Sequence, residues 1–273
     1  MPTQFHRVTP LAVAPRAQRD RLDRLDMLRG LAMVWMTAFH FCFDLSYLQL
    51  WRQDFYHDPV WIWQRAAIVS LFLLCAGLGQ AAAQTRPSSA RRFYQRWLLV
   101  AGCAVLVSAG SYLVFPNSYI YFGVLHGMAA MLLLLRLVQG CSDRVLFGLA
   151  MLCMLAPGLY SYVASGLPAS LVELLNTKPL SPLGLVTRKP VTEDFVPILP
   201  WLGIMLAAFA VGRQQMAKPG AWLPSYLAQP AQSWPSRSLA WLGRHSLPYY
   251  MLHQLVLMGS LMLLVLLLPT ALD

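Results

Sequence analysis

Charged residues are scarce in this sequence, which limits the class of protein that it can form. Asp, Glu, Lys and Arg make up only 12% of the 273 residues, whereas 58% are hydrophobic and lie in long blocks. Blocks of about twenty apolar residues are typical of membrane-spanning helices, because each residue rises about 1.5 Å through a hydrocarbon core of roughly 30 Å. The blocks leave no room for a soluble domain, so the sequence predicts one integral membrane domain.

Cysteine pairs with the spacing of a metal site are also missing. The five cysteines are odd in number and lie mostly inside apolar blocks: Cys42, Cys75, Cys103, Cys141 and Cys153. We interpret them as small buried hydrophobic residues, which argues against a disulfide framework and against a metal site. The net charge of +10 does not indicate nucleic-acid binding, because the basic residues cluster between the apolar blocks, where membrane topology explains them.

The apolar blocks predict an all-α, polytopic helix bundle with about seven transmembrane helices. The blocks cover approximately residues 27–50, 60–84, 97–114, 119–138, 145–163, 195–211 and 239–267, the last starting at 239 or 247. A basic cytoplasmic segment (residues 1–26) is expected to precede a transmembrane domain (residues 27–268). Because the first block is long and carries a histidine and an aspartate, we expect an uncleaved first helix and not a signal peptide.

Lysine and arginine are distributed unevenly among the segments between the blocks. With a cytoplasmic N-terminus, sixteen of the 21 Lys and Arg residues fall on the cytoplasmic side of the membrane and five on the outer side. Loops on the cytoplasmic side of membrane proteins carry the excess of positive charge. The sequence therefore predicts a cytoplasmic N-terminus and, after seven spans, a C-terminus on the outer side.

Ionisable residues inside the apolar blocks are the strongest functional signal. Such residues are costly at membrane depth and usually face a partner or a water-filled cavity. His40 and Asp44 are four residues apart, so they share one face of a helix. We expect further polar residues to converge with them on one cavity that opens to the outer side. These are His57, Asp58, Arg65, His126, Asp194 and His253.

Each candidate also has a structural interpretation. His126 and His253 can each hydrogen-bond a neighbouring helix, and His57 can be a solvated loop residue. Asp44 can pair with His40 or Arg65 and thereby hold the bundle together. The residue types alone do not decide between these roles and a functional one.

Five segments of the chain resemble, in order, the heparan-alpha-glucosaminide N-acetyltransferase catalytic-domain family in its short bacterial form. The segments are LDMLRGLAMVWMTAFHFCFDL, LFLLCAGLG, YFGVLHGM, DFVPILPWLGIMLAAFAVGR and LGRHSLPYYMLHQ. They span about residues 21–262, which is nearly all of the predicted membrane domain. The resemblance implies a transferase of the bacterial inner membrane that holds acetyl-CoA from the cytoplasmic side and acylates a sugar amine on the far side.

The resemblance also assigns residues. In the lysosomal relatives a histidine in the loop before the second core helix is the catalytic candidate, and His57 occupies that place. The histidine of the last-helix motif corresponds to His253. The relatives have asparagine at the position of His40 and glutamine at the position of His126, so the roles of those two residues are not carried over directly.

Acyl transfer fits these residue types because an attacking amine or hydroxyl must lose a proton, and histidine, with a pKa of about 6.5, suits a general base. Our first choice of base is His57, with the His40–Asp44 pair as the alternative and His126 or His253 polarising the thioester carbonyl. A covalent acyl-histidine intermediate stays open. We expect Asp58, Arg65 and Asp194 to bind the saccharide acceptor. The expected CoA-binding cations are Arg29, Arg91, Arg92, Arg96 and Arg244, which otherwise serve only the membrane topology.

Two other classes of protein stay open. Buried His and Asp residues also form proton relays in proton-coupled transporters, although the sequence has no detectable internal repeat. A haem-binding cytochrome would use histidines such as His40, His126 and His253 as axial ligands, but no helix carries two histidines separated by the thickness of one bilayer leaflet. The acceptor, the acyl chain length and the oligomeric state, including a homo-oligomer, also stay open.

Overall fold

The computed structural model describes residues 22–85 and 89–267, and every regular element within these ranges is helical. This confirms the all-α prediction for the described part of the chain, while residues 1–21 of the predicted basic segment lie outside it. The α-helices are α1 (Asp23–Tyr47), α2 (Pro59–Gln84), α3 (Ala90–Val114), α4 (Val124–Val138), α5 (Asp143–Val163), α6 (Ala169–Leu175), α7 (Trp201–Ala217), α8 (Trp222–Leu227), α9 (Trp234–Arg244) and α10 (Ser246–Leu267).

Four helices are long and apolar enough to cross a membrane: α2, α3, α5 with the short 3₁₀ turn that follows it, and α10. Three further helices fall on predicted spans but do not reach the same length and hydropathy. Helix α4 has 15 residues and α7 has 17, and α1 contains the ionisable residues His40 and Asp44. The fold therefore supports an integral membrane protein, and the count of seven spans stays a prediction.

Several predicted boundaries were wrong. Helix α1 starts at Asp23 and not at residue 27, whereas the division into a basic segment (residues 1–26) and a transmembrane domain (residues 27–268) stays a prediction. The segment 212–238, predicted as a loop, contains α8 and the start of α9, because the Ser233 side chain caps α9 and Pro235 suits its first turn. Helix α7 starts at Trp201 and not at residue 195, since Pro197 and Pro200 do not continue a helix.

The centre of the bundle is α7, which packs against α2 on one side and α5 on the other. A Cβ atom added at Gly77 would lie 2.5 Å from the Met205 carbonyl oxygen, and one added at Gly203 would lie 2.6 Å from that of Ala150. These glycines therefore allow close backbone contact between the helices, as in many membrane bundles. Phe209 of α7 is fully buried in this core.

Helices α9 and α10 both pack against α1. A Cβ atom added at Gly243 of α9 would overlap the carbonyl oxygen of Asp26, so α9 lies backbone to backbone on the first turns of α1. Helix α10 then runs parallel to α1, because Tyr249 contacts Thr37 and the later residue Gln254 contacts Asp44.

The helix directions give the bundle two ends. One end, which we call the basic end, contains the starts of α1 and α5 and the end of α7. Here Arg24 at the start of α1 donates a hydrogen bond to Gln229. At the same end, the ion pair between Asp143 and Arg213 joins the start of α5 to the end of α7. The other end, the loop end, consists of the segments 48–58, 115–123 and 164–200. The prediction that the basic end faces the cytoplasm stays a prediction.

Candidate active site

Three of the predicted site residues meet between α1 and α10. The rings of His40 and His253 are nearly perpendicular, and their centroids are 5.2 Å apart. Asp44, one helical turn beyond His40, is fully buried. Gln254, which follows His253, completes the group, and we call His40, Asp44, His253 and Gln254 the polar cluster.

Gln254 was missed by the sequence analysis, although it is a polar residue in an otherwise apolar helix. Its amide nitrogen Nε2 donates a hydrogen bond of 2.7 Å to Asp44 Oδ1. Three other atoms of the cluster are buried and have no hydrogen-bond partner among the described residues: Asp44 Oδ2, Gln254 Oε1 and His253 Nε2. Each such atom costs about 1–3 kcal/mol when it is left unpaired, so the polar cluster is the candidate binding or catalytic site.

The backbone of α10 fixes the tautomer of His253. The ring nitrogen Nδ1 lies 2.7 Å from the carbonyl oxygen of Tyr250. A carbonyl oxygen can only accept, so Nδ1 carries the proton and, in the neutral ring, Nε2 keeps its lone pair. The Tyr249 ring lies nearly parallel to the imidazole, with centroids 6.0 Å apart. His253 therefore offers a buried, oriented base.

The polar cluster continues toward the basic end. Thr37, one turn before His40, lies with its hydroxyl 2.8 Å from that of Tyr249. Polar side chains thus pair across α1 and α10 at three successive levels: Thr37 with Tyr249, His40 with His253, and Asp44 with Gln254.

His57 lies apart from the polar cluster, on the surface of the loop between α1 and α2. Its side chain is 86% exposed, and Nδ1 lies 2.9 Å from Asp54 Oδ2. Asp54 also accepts hydrogen bonds from the backbone N–H groups of His57 and Tyr56, which hold the pKa of Asp54 below its ordinary value. The loop therefore holds His57 in a defined orientation in contact with solvent.

An open groove of about 500 Å³ lies beside this histidine. Its lining residues are Phe43, Ser46, Tyr47, Gln49, Arg52, Gln53, Asp54, Phe55 and Tyr56. Phe43 borders Asp44 in sequence, so the groove lies within one helical turn of the polar cluster at the loop end. Aromatic rings and hydrogen-bonding side chains line it together.

His126 has partners for both ring nitrogens. Nδ1 accepts from the backbone N–H of Gly123 at 3.3 Å, and Nε2 lies 3.0 Å from the hydroxyl of Ser108. Because Nδ1 accepts, Nε2 carries the proton in the neutral ring and donates it to Ser108. This geometry matches the structural interpretation, in which His126 joins the start of α4 to α3.

Asp58 and Asp194 both lie at helix starts. Asp58 accepts from the N–H of Val60 at 2.8 Å and caps α2, and Asp194 accepts from the N–H of Val124 at 2.7 Å at the start of α4. Burial raises the pKa of Asp194, although the Val124 N–H and the nearby Arg65 oppose that rise. The structure thus places Arg65 near Asp194 and brings neither into contact with the polar cluster.

These residues were compared with known proteins. A profile of the family described as heparan-alpha-glucosaminide N-acetyltransferase, catalytic, matches residues 21–255, which include the whole polar cluster. The chain belongs to this family. Comparison with curated proteins and with solved structures found no match. Membership in the heparan-alpha-glucosaminide N-acetyltransferase catalytic family confirms the resemblance seen in the sequence and indicates an acetyltransferase.

This N-acetyltransferase family uses acetyl-CoA as its acetyl donor, so the cations of the basic end are candidate contacts for phosphate. Arg29 is engaged, since it donates to Asp26 Oδ1 at 2.9 Å and to the Cys75 carbonyl at 3.4 Å. Arg244 lies near Asp26 without forming an ion pair with a described residue. The remaining three, Arg91, Arg92 and Arg96, are exposed on the first turns of α3.

The described residues contain no group of three or more His, Cys, Asp or Glu side chains that could hold a metal ion. The polar cluster itself offers a histidine lone pair, a carboxylate and an amide oxygen. All three can accept a proton or a hydrogen bond from an incoming donor.

Proposed function

We propose that this chain is a membrane-embedded acyltransferase that moves an acetyl group from acetyl-CoA to an amine of a saccharide. Acetyl-CoA enters at the basic end from the cytoplasm, and the acceptor enters at the loop end from the outer side of a bacterial inner membrane. The bundle has seven spans and a cytoplasmic N-terminus. The observation that carries this proposal is that one polar cluster buries both Nε2 of His253 and one oxygen of Asp44 without a partner among the described residues, in a chain of an acetyltransferase family.

The chemistry of the unpartnered atoms favours an amine acceptor over a hydroxyl. Asp44 Oδ2, Gln254 Oε1 and His253 Nε2 can each accept a hydrogen bond, and no described residue donates to them. A protonated amine brings three N–H donors and one positive charge, whereas a hydroxyl brings one donor and no charge. The acceptor amine therefore matches both the number of partners and the charge that the polar cluster lacks.

The geometry favours His253 as the general base over His57, our first choice from sequence. Nε2 of His253 takes a proton from the bound ammonium, and the freed amine nitrogen attacks the thioester carbonyl carbon. The carbon–sulfur bond breaks, and the departing sulfur receives the proton that the new amide nitrogen loses. Asp44 lies in the same cluster, where Gln254 donates to its carboxylate and the His40 ring contacts His253, and its negative charge favours the imidazolium that forms.

His57 then contributes to acceptor binding. Its exposed ring and the Asp54 carboxylate lie next to the groove at the loop end. A planar sugar face can pack on the aromatic rings there while its hydroxyl groups bond to the polar lining residues. Asp58, Arg65 and Asp194 stay proposed contacts of the acceptor, at the rim of the same end.

The test compares two histidine variants, His253→Gln and His57→Ala, in protein purified in detergent. CoA release from acetyl-CoA is followed by chromatography with a 2-amino sugar as acceptor and the matching 2-hydroxy sugar as control. We expect His253→Gln to lower turnover by about 10²–10⁴-fold, and His57→Ala to raise the KM for the amino sugar with kcat largely kept. Loss of kcat in His57→Ala with normal turnover in His253→Gln would return the base to His57. Equal turnover of both sugars by the wild type would remove the argument for an amine.

The same preparation distinguishes the enzyme from the transporter considered in the sequence analysis. A folded protein that neither binds nor turns over acetyl-CoA, yet supports uptake of a sugar into liposomes, would be a transporter that uses the polar cluster as a proton relay.

A further inference from the structure

Helix α9 presents one face to α1 and the opposite face to the outside. Ala240 and Gly243 are buried on the α1 side. Exposed residues on the other side of the helix line an open groove of about 620 Å³, at positions 234, 237, 238, 241 and 244. The lining residues are Trp234, Arg237, Ser238, Trp241 and Arg244, together with the half-buried Leu242, and we call this the α9 groove.

The two arginines of the α9 groove have no acidic partner among the described residues. Arg237 and Arg244 each use Nε to donate to a backbone carbonyl, of Ala231 at 3.3 Å and of Ala240 at 3.1 Å. By contrast, Arg213 at the same end is paired with Asp143. No described residue accepts a hydrogen bond from the terminal nitrogens of the groove arginines, although Asp26 lies near Arg244. These nitrogens can therefore bind a phosphate in the bidentate manner that guanidinium groups favour.

Two indole rings accompany these cations. Trp234 is 80% exposed and Trp241 is 58% exposed. The Trp241 ring packs on the His245 ring, and the two ring centroids are 4.6 Å apart. A flat, exposed aromatic ring beside a free guanidinium is suited to a ligand that joins a planar base to phosphate groups. A simple anion would use only the arginines.

The separation between the α9 groove and the polar cluster is short enough for one CoA thioester to reach both. Helix α9 ends at Arg244, and α10 begins at Ser246. His253 lies two turns into α10, about 10 Å along the helix. The pantetheine and diphosphate of a CoA thioester form an extended chain that can bridge this separation.

We propose that the α9 groove binds the adenosine 3′,5′-bisphosphate end of the acyl donor. Trp241 stacks on the adenine, and Arg237 and Arg244 hold the phosphates. This inference rests on the proposed function and extends it, because it assigns the donor's nucleotide end to α9. The exposed arginines of α3 then serve the membrane topology.

The test measures binding of adenosine 3′,5′-bisphosphate to the full-length protein in detergent by calorimetry. Trp241→Ala should weaken binding by about 5- to 150-fold, which is the loss of one base–aromatic stack. Arg237→Ala should weaken it by about 10- to 150-fold, the loss of one charge-assisted contact. Matched controls are Trp222→Ala, another exposed tryptophan, on α8, and Arg144→Ala, an exposed arginine on the first turn of α5, which should leave the affinity unchanged.

Each outcome separates this inference from the proposed function. If the wild type binds the bisphosphate and acetyl-CoA while Trp241→Ala and Arg237→Ala bind both as tightly, the α9 assignment is overturned and the acyltransferase proposal stands. If the wild type binds neither compound, both fail. Unchanged bisphosphate binding in Arg237→Ala, with weaker association to nanodiscs that contain phosphatidylglycerol, would show that the groove contacts lipid phosphate and would also overturn the assignment. A melting temperature for each variant confirms that the protein is folded.

Discussion

Replacing Asp44 with asparagine should make the protein more stable and inactive at the same time. The Asp44 carboxylate is fully buried, and it accepts one hydrogen bond from Gln254. Its second oxygen and the amide oxygen of Gln254 both lack a partner among the described residues. Asparagine has nearly the same size, keeps the accepting oxygen, and adds an NH₂ group that can donate to Gln254 Oε1. One buried acceptor thereby gains its partner.

The size of the gain follows from the cost of an unpaired buried polar atom. That cost is about 1–3 kcal/mol, so the free energy of unfolding of Asp44→Asn should rise by about that amount. Acetyl transfer should fall strongly, because the amide neither attracts an ammonium nor stabilises an imidazolium. Stability that rises as activity falls is the signature of a residue kept for function.

The assay pairs SDS-induced unfolding in mixed micelles with CoA release under saturating amino sugar. Glu173→Gln is the matched control, because Glu173 is an exposed residue of α6 outside the polar cluster and its exposed ion pair with Arg188 contributes little, so neither quantity should change. An Asp44→Asn protein that is less stable than the wild type and turns over normally would refute the reasoning. Asp44 would then be a structural residue that holds α1 to α10.

Three further predictions concern the scaffold. Gly243→Ala should lower stability by about 1–3 kcal/mol in thermal unfolding, since the new methyl group overlaps the backbone of α1. The control Gly148→Ala has open space around the new methyl group and should not lose stability. Equal melting temperatures for the two variants would argue against the close contact between α9 and α1. His126→Ala should cost about 1–3 kcal/mol while turnover per folded molecule persists, and a loss of turnover greater than tenfold would give His126 a role in chemistry. The pKa of Asp54 is depressed in the folded protein, so the stability that its carboxylate gives to the loop is complete above the ordinary pKa of 3.8. That stability is lost as the pH falls through the lower pKa of the folded state. Amide exchange at His57 should therefore accelerate only in that acidic range, and protection that begins to fall at neutral pH would contradict this.

The long apolar blocks predicted the spanning helices well because apolar length and helix length are set by the same bilayer thickness. Helix α2 was expected at residues 60–84 and lies at Pro59–Gln84. The short helix α9 was missed because its segment is rich in serine, proline and arginine, which is typical of a loop. Its signals were a serine followed two positions later by a proline, and tryptophan and arginine at helical spacing.

The candidate site was only partly predictable. The spacing of His40 and Asp44 was enough to place them on one face, since it depends only on helical geometry. Their meeting with His253 depends on which helices pack together, and that is decided by contacts such as the Gly243 approach to Asp26, far apart in sequence. A polar residue directly before a helix is harder to assign from sequence, because Asp58 accepts a hydrogen bond from the backbone N–H of Val60 and thereby caps α2.

The polar cluster combines residues that are separated by 210 positions in the chain. During synthesis α1 enters the membrane long before α10, so Asp44 lacks its Gln254 contact until the final helix has been inserted. The α2, α5 and α7 core can assemble earlier, because its contacts do not involve α10. A chain interrupted before residue 254 would therefore carry a packed core and an incomplete site, which ties the onset of activity to the last step of membrane insertion.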